Sequence, residues 1–284
     1  MEYVEKHITW KVMENETVTI MPIGDAQVGV DAADVKRLKS HIAWGHHIKH
    51  AMFLGMGDYV DMASPSNRRA LKNAGLYDTV TDALFEKAFK DIDVFMEAAA
   101  VSMGSWLGLL QGHHYYENLE GDQTSDMYIA DSLKAPFLGD SAIIRIIFDK
   151  HKDVDGLPVK ADIWCHHGRG GGASVAAPIN YLEKIARGFD ADIYLMGHQH
   201  KKIAAPIDEI YYARNGRMLH HTKLLACTGS FLKGYLADSL SEGRAGGTYV
   251  EKGMMTPVSL GGIVIELGIA KEEYGDRLDI NVSL

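Results

Sequence analysis

Short apolar runs alternate with amphipathic stretches through the first two thirds of the chain, and strand-like runs take over in the last third. VTIMPI (18–23), AMFLGM (51–56), DIWC (162–165) and DIYLM (192–196) are compact runs bounded by polar or glycine-rich sequence, the mark of buried strands. HITWKV (7–12), SWLGLLQ (105–111), IIRIIFD (143–149) and KADIWC (160–165) extend the set. Helical spacing predicts helices over about Asp34–Lys49, Thr81–Ser102, Ser125–Leu133 and Ala177–Arg187. The longest places Leu84, Phe85, Ala88, Ile92, Phe95 and Met96 on one face. Met62–Gly75 is polar and is expected to be a loop. After His200 come EIYYAR, MLHHTKLLAC, TYVE, GGIVIEL and RLDINVSL, all expected as strands. Alternation first and strands afterwards suits two sheets packed face to face, with helices on the outer faces.

The composition narrows the class. An apolar share of 46% in 284 residues suffices for a full core, and no repeat or low-complexity tract divides the chain. The expectation is a single domain over 1–284, with a β-rich part from about 201 to 284 completing the sandwich. A formal charge of -9 argues against broad attraction to duplex nucleic acid or anionic membrane. Cys165 and Cys227 each lie in an apolar run, so they fit small buried side chains rather than a disulfide framework. The first residues lack the pattern of a secretory signal, and Met96–Leu110 is too short and too interrupted for a bilayer span. A cytoplasmic protein without membrane contact is the expectation. The sequence says nothing of oligomeric state.

Candidate chemistry sits where the apolar runs stop. Gly24-Asp25-Ala26-Gln27, Gly57-Asp58-Tyr59-Val60-Asp61, Gly112-His113-His114, His166-His167-Gly168 and Gly197-His198-Gln199-His200 each follow such a run. A strand ending in glycine and then a carboxylate or imidazole delivers that side chain to the sheet edge. Such edges together can hold two divalent cations. About 3.5–4 Å apart, such cations polarise phosphate oxygens and activate the attacking water.

The order of these segments resembles that of calcineurin-like metallophosphoesterases over residues 24–200. Gly57-Asp58 and Gly197-His198-Gln199-His200 match their pattern without change. The resemblance implies a four-layer α/β/β/α sandwich of two mixed sheets and a dinuclear site that hydrolyses phosphate esters, as phosphodiesterase or phosphatase. It implies Asp58 as the bridging carboxylate, with Asp25, His200 and position 27 on one metal. His113, His198 and one of His166 or His167 fall on the other; the glycines after His167 favour His167. His114 is implied near the leaving group, as acid or charge stabiliser. Two positions depart from the family: Gln27 replaces His, and His113 replaces Asn. An amide oxygen is the harder ligand, so one metal becomes richer in oxygen and the other in nitrogen. Mn²⁺ is the first expectation, with Zn²⁺, Fe, Co²⁺, Ni²⁺ or Mg²⁺ as alternatives. The substrate expected is a phosphate ester, with nucleotides and nucleic acid among the candidates. Gln27 also leaves a second reading, a degenerate member that binds a partner without turnover.

Other residues have two readings each. Arg68 and Arg69 can contact substrate phosphate or simply be solvated. Asp61 can bond to a ligand or cap a loop. Gly168–Gly172 can cradle phosphate or meet a backbone demand for glycine. His46 and His50 have the i, i+4 spacing of one helix face, which can bind a metal or, with no third ligand in view, simply form an exposed polar face. His220 and His221 can line a cleft or pack a strand. Tyr115, Tyr116 and Glu117 can shape a pocket or pack their loop.

Overall fold

The computed structural model describes residues 1–117, 123–170, 174–214, 216–237, 240–241, 244–245 and 247–284. In chain order the elements are β1 (Glu2–Ile8), β2 (Val18–Ile23), α1 (Val35–His46), β3 (Ala51–Gly55), α2 (Pro65–Asn73) and α3 (Asp78–Ala99). Then come β4 (Trp106–Leu109), α4 (Ser125–Ser132), β5 (Ser141–Lys152), β6 (Pro158–His166), α5 (Ala176–Ala186) and β7 (Ile193–Met196). The remainder is β8 (Lys202–Tyr212), β9 (Met218–Ser230), the short β10 (Leu240–Ser241) and β11 (Arg244–Ala245), α6 (Tyr249–Lys252), β12 (Gly261–Gly262), β13 (Val264–Glu272) and β14 (Gly275–Ser283).

Two mixed sheets result. One has the order β14-β13-β2-β3-β4; the other has β1-β5-β6-β7-β9-β12, with β8 also paired to β9. Period-2 alternation explains how they stack. Val18, Ile20, Leu54, Ala161, Ile163, Ile193, Leu195 and Ala226 enter one core between the sheets. Their neighbours Met21, Ile23 and Phe53 face outward into a second core with Leu38, Ile42, Ile92 and Phe95 of α1 and α3. Trp164, Tyr194, Leu225 and Cys227 face the other way, against Leu182 of α5. The order is helices, sheet, sheet, helix, the α/β/β/α sandwich expected from the sequence. Both cysteines are free, and burial pushes each thiol up to about 12. Among the described residues no helix is long and apolar enough to cross a membrane.

The polar stretch 62–75 is a helix rather than a loop for most of its length. Ser64 accepts from the Asn67 N–H at 3.3 Å, and Pro65 begins the helix, where its missing N–H costs nothing. TYVE is a short helix instead of a strand, with the Thr248 hydroxyl accepting from the Glu251 N–H at 3.2 Å. The first strand is Glu2–Ile8, displaced from HITWKV, because it follows β5 in parallel from Glu2↔Ala142 to Ile8↔Phe148. α1 ends at His46, and His50 lies beyond it, stacked on Trp10 at 4.4 Å, so the two histidines do not share a helix face.

Within the sheets, β2, β3 and β4 run parallel, as do β6, β7 and β9. The Asp25, Asp58, His113, His167 and His198 segments all follow carboxyl ends of these strands, where open α/β sheets present their loops to ligands.

Candidate metal centre

The strand-end loops interlock before any ligand is considered. Asp25 N–H donates to Gly57 O at 3.0 Å and Gln27 N–H to Asp58 O at 2.9 Å, so the β2–β3 pairing continues past the strands. Asp25 O accepts from Phe231 N–H and from the Ser230 hydroxyl, both at 3.0 Å, which ties it to the end of β9. Gly57 has φ 91°, and a Cβ there would lie 2.7 Å from both Gly112 Cα and the His167 ring. A side chain at Gly112 would in turn strike Asp58. These two glycines are required by close approach.

Nine described residues other than glycine have positive φ, and five of them are Asp25, Gln27, Asp58, His198 and His200. Each such conformation costs about 1–3 kcal/mol and persists only where its surroundings impose it. Five of the nine are gathered at one sheet edge, which makes that edge the candidate functional site.

Each buried ligand candidate has one atom fixed by the backbone and one left over. Asp58 Oδ1 accepts from the N–H groups of His113 and His114, the latter at 3.0 Å. Asp25 Oδ2 accepts from His198 N–H at 2.9 Å. His167 Nδ1 donates to Met56 O at 2.7 Å. The remaining atoms, Asp58 Oδ2, Asp25 Oδ1 and His167 Nε2, are buried without a hydrogen bond. His167 Nε2 and Asp58 Oδ2 lie 3.3 Å apart, as do His200 Nε2 and Asp25 Oδ1. Neither contact aligns as a hydrogen bond. Burying two carboxylates this way costs several kcal/mol unless a positive charge answers them.

The residues present fit a divalent cation. Asp25, Asp58 and His167 offer ligand atoms within 4.8 Å of one another, and so do His113, His167 and His198. The outer hydrogen bonds hold each ligand in one orientation, as metal sites require. The first group is rich in oxygen and the second is all imidazole. His113 Nδ1 lies 3.3 Å from His198 Nδ1, and burial followed by the neighbouring His167 and His198 lowers the His113 pKa to about 4. His198 is lowered for the same reasons, burial first and His167 second. Both shifts favour the neutral ring, the form that ligates a metal. Burial would also lower His167, but the Asp58 carboxylate overrides it and raises that ring to about 9. Asp58 is correspondingly held well below the usual carboxylate range, the His167 charge outweighing burial.

His200 lies against Asp25, and Gln27 is buried beside them with its N–H on Asp58 O. His166 points elsewhere: it stacks on Trp164 and its Nδ1 accepts from Gly168 N–H at 2.7 Å. His167 is the member of the pair inside the cluster. His114 is 28% exposed, and its Nδ1 meets Asp61 Oδ1 at 2.6 Å. Burial opposes protonation of His114, but the Asp61 hydrogen bond and the Asp58 charge outweigh it and raise the pKa.

Arg68 is occupied by its own loop. Its guanidinium donates to Ala63 O and His113 O, pairs with Glu117 at 3.3 Å and lies 3.8 Å over Tyr115. That network also accounts for Tyr115 and Glu117. Arg69 is exposed on α2. His220 and His221 face Asp208 at 3.6 Å and Asp192 at 3.1 Å. Gly171 and Gly172 lie outside the described residues; Arg169 O and Gly170 O both accept from the Gln199 amide, which staples the His167 and His198 loops together. Asp126 escaped the sequence reading. It is buried at the start of α4, accepts from Gly112 N–H at 2.8 Å, and is raised to about 7 by burial. Beside it, Ser125 accepts from Tyr116 N–H at 3.1 Å and donates its own N–H to Tyr116 O at 2.9 Å. α4 thus clamps both ends of the loop carrying His113 and His114. No motif marks this role, because it depends on a tertiary contact.

No protein-family profile matches the chain, and no curated protein matches it. Among solved structures it is similar to Vps29 complexed with zinc from Entamoeba histolytica, at 10% identity and TM-score 0.36, over 93% of this chain and 98% of that one. It is also similar to a predicted phosphoesterase from Streptococcus pneumoniae, at 12% identity and TM-score 0.32, over 94% and 88%. NAD nucleotidase from Haemophilus influenzae aligns at 12% identity and TM-score 0.38, over 93% of this chain and 49% of that one. At these scores the likeness carries no weight for function, which rests on the site itself.

Proposed function

We propose that the chain is a metal-dependent hydrolase of phosphate esters. The observation that carries this reading is the set of unsatisfied buried atoms, Asp25 Oδ1, Asp58 Oδ2 and His167 Nε2, converging at the sheet edge. Asp58 is the bridging candidate, with Asp25, His200 and Gln27 on one side and His113, His167 and His198 on the other. A divalent pair bound there supplies Lewis acidity toward phosphoryl oxygens and an activated water for in-line attack. Mn²⁺ suits the oxygen-rich half, and Zn²⁺, Fe, Co²⁺ or Ni²⁺ the imidazole half.

The chain's own proton chemistry lies at His114. Asp61 engages Nδ1 and favours the charged ring, which leaves Nε2 to protonate the departing oxygen or to neutralise charge on it. Arg68 braces this loop through His113 O. Gln27 alone would suit a protein that binds without turnover; the orphaned carboxylate and imidazole atoms and the Asp61–His114 pair favour the enzyme. The test is hydrolysis of bis(p-nitrophenyl) phosphate by purified protein with each of Mn²⁺, Zn²⁺, Co²⁺, Ni²⁺, Fe²⁺ and Mg²⁺. Turnover abolished by Asp58→Asn supports the proposal; no turnover with any of these metals refutes it.

A further inference from the structure

Helix α2 has a position and a surface that its packing does not explain. None of its residues is buried, yet it begins directly beside the candidate site. Met62 N–H donates to His114 O at 2.8 Å, just before the Ser64 cap. Arg68 ties the first turn to His113 O. The helix is therefore anchored at the site and free along its length.

Its charge is one-sided. α2 carries Arg68, Arg69 and Lys72 and no acidic residue, in a chain of net charge -9. Glu117 answers Arg68, whereas exposed Arg69 and Lys72 have no ion-pair partner among the described residues. Residues four apart share a helix face, so Lys72 lies on the face that Arg68 turns toward the His113 loop. It sits just over one turn, about 6 Å, further along the helix. Beyond it, Tyr77 joins α2 to α3 and is 83% exposed, beside Leu76 at 36%. A large aromatic left in solvent at the end of a basic track has the composition of a stacking platform next to a backbone groove.

We propose that α2 and Tyr77 hold the segment of a single-stranded polynucleotide that flanks the scissile phosphodiester. Lys72 and Arg69 meet phosphates beyond the one at the metal edge, and Tyr77 stacks on a base. A mononucleotide or cyclic nucleotide has no second phosphate to reach this track, and a singly phosphorylated peptide has none either. Two free charges on one short helix, against an acidic whole, are too few to follow a duplex. This assignment of substrate class rests on the phosphate-ester hydrolase reading above.

The test separates the two. Binding of a fluorescently labelled oligothymidylate is followed by anisotropy in EDTA over a range of NaCl, so that neither metal nor turnover enters the measurement. The slope of log affinity against log salt should shrink by about 0.7 for each lost phosphate contact in Arg69→Glu/Lys72→Glu. Tyr77→Ala should weaken binding roughly tenfold. Lys184→Glu on α5, an exposed charge on the other helical layer, serves as control and should leave binding as it was. An unchanged slope in the double variant overturns the proposal. So does wild-type protein that binds no oligonucleotide, or a singly phosphorylated peptide whose binding, rather than the oligonucleotide's, is lost in the double variant. Failure of bis(p-nitrophenyl) phosphate hydrolysis would strike the hydrolase reading and leave the polynucleotide-binding track standing.

Discussion

Asp58→Asn tests the site without relying on catalysis. Asparagine keeps the shape and can still accept from the His113 and His114 N–H groups, but it removes the charge from a side chain that is 1% exposed. Two effects follow in the metal-free protein. His167, raised to about 9 chiefly by Asp58 against the pull of burial, loses its partner. A raised pKa stabilises the fold fully below the ordinary histidine value and loses that contribution as pH rises through about 9. At pH 8 the interaction is worth on the order of 1 kcal/mol by linkage. Relief of the buried negative charge offsets part of it, so metal-free stability should fall by about 1 kcal/mol or less. The larger effect is on metal. A cation at a hundred times its Kd adds about 2.7 kcal/mol to the wild type. For a chain of 284 residues that raises Tm by roughly 5 °C. The assay is differential scanning fluorimetry at pH 8, in EDTA and in saturating Mn²⁺ or Zn²⁺. The variant should melt within a few degrees of wild type in EDTA and gain little with metal. An undiminished metal-induced rise in Asp58→Asn would refute the assignment of Asp58 to the centre.

Three further outcomes are expected. His114→Ala should retain the metal-induced rise in Tm but lose about 10²–10⁴-fold in turnover, and less for a nitrophenolate leaving group; equal losses for good and poor leaving groups would remove the acid role. Gln27→His should tighten the oxygen-rich side, and His113→Asn should weaken retention of Zn²⁺ relative to Mn²⁺, both read by metal titration calorimetry; two equal affinities unmoved by either change would show that these residues do not divide the pair. Away from the site, Asp162 is held below the usual carboxylate range because Arg145 at 2.6 Å and Lys160 at 3.0 Å outweigh its burial. Its contribution is complete above the ordinary Asp value and is lost as pH falls below about 4, so Asp162→Asn should flatten the acid limb of urea-melt stability against pH; parallel limbs would contradict the linkage.

What could be read from the sequence follows from what local pattern encodes. VTIMPI, AMFLGM and DIYLM are buried on both faces, and such runs announce strands whatever packs on them. α3 announces itself by an apolar stripe. α2 has no stripe, because none of its residues is buried, so hydrophobic periodicity passes over it; the Ser64-Pro65 cap was the legible signal. TYVE carries strand-type residues, but four residues beginning at a threonine cap are decided by that cap rather than by propensity.

The site divides along the same line. Ligand types at strand ends were visible because glycine must precede them: Gly57 and Gly112 approach each other too closely for any side chain. The choice of His167 over His166 was only partly visible, since it depends on which ring faces Asp58 across two sheets. The roles of Asp126 and Gln199 were hidden altogether, because each acts on a backbone group distant in sequence. The strain at Asp25, Gln27, Asp58, His198 and His200 was equally hidden, and it carries the most meaning. A chain that needed only to fold would place glycine or asparagine where φ is positive. Here carboxylate, amide and imidazole occupy those positions together, at a cost of about 1–3 kcal/mol each, and two of them leave buried oxygens unsatisfied. Glycine at any one of them would relieve strain and delete a functional group. The edge that makes the fold less stable is also the one whose residues fit divalent charge, so on the proposed reading stability without metal and function with it are set in opposition by the same residues.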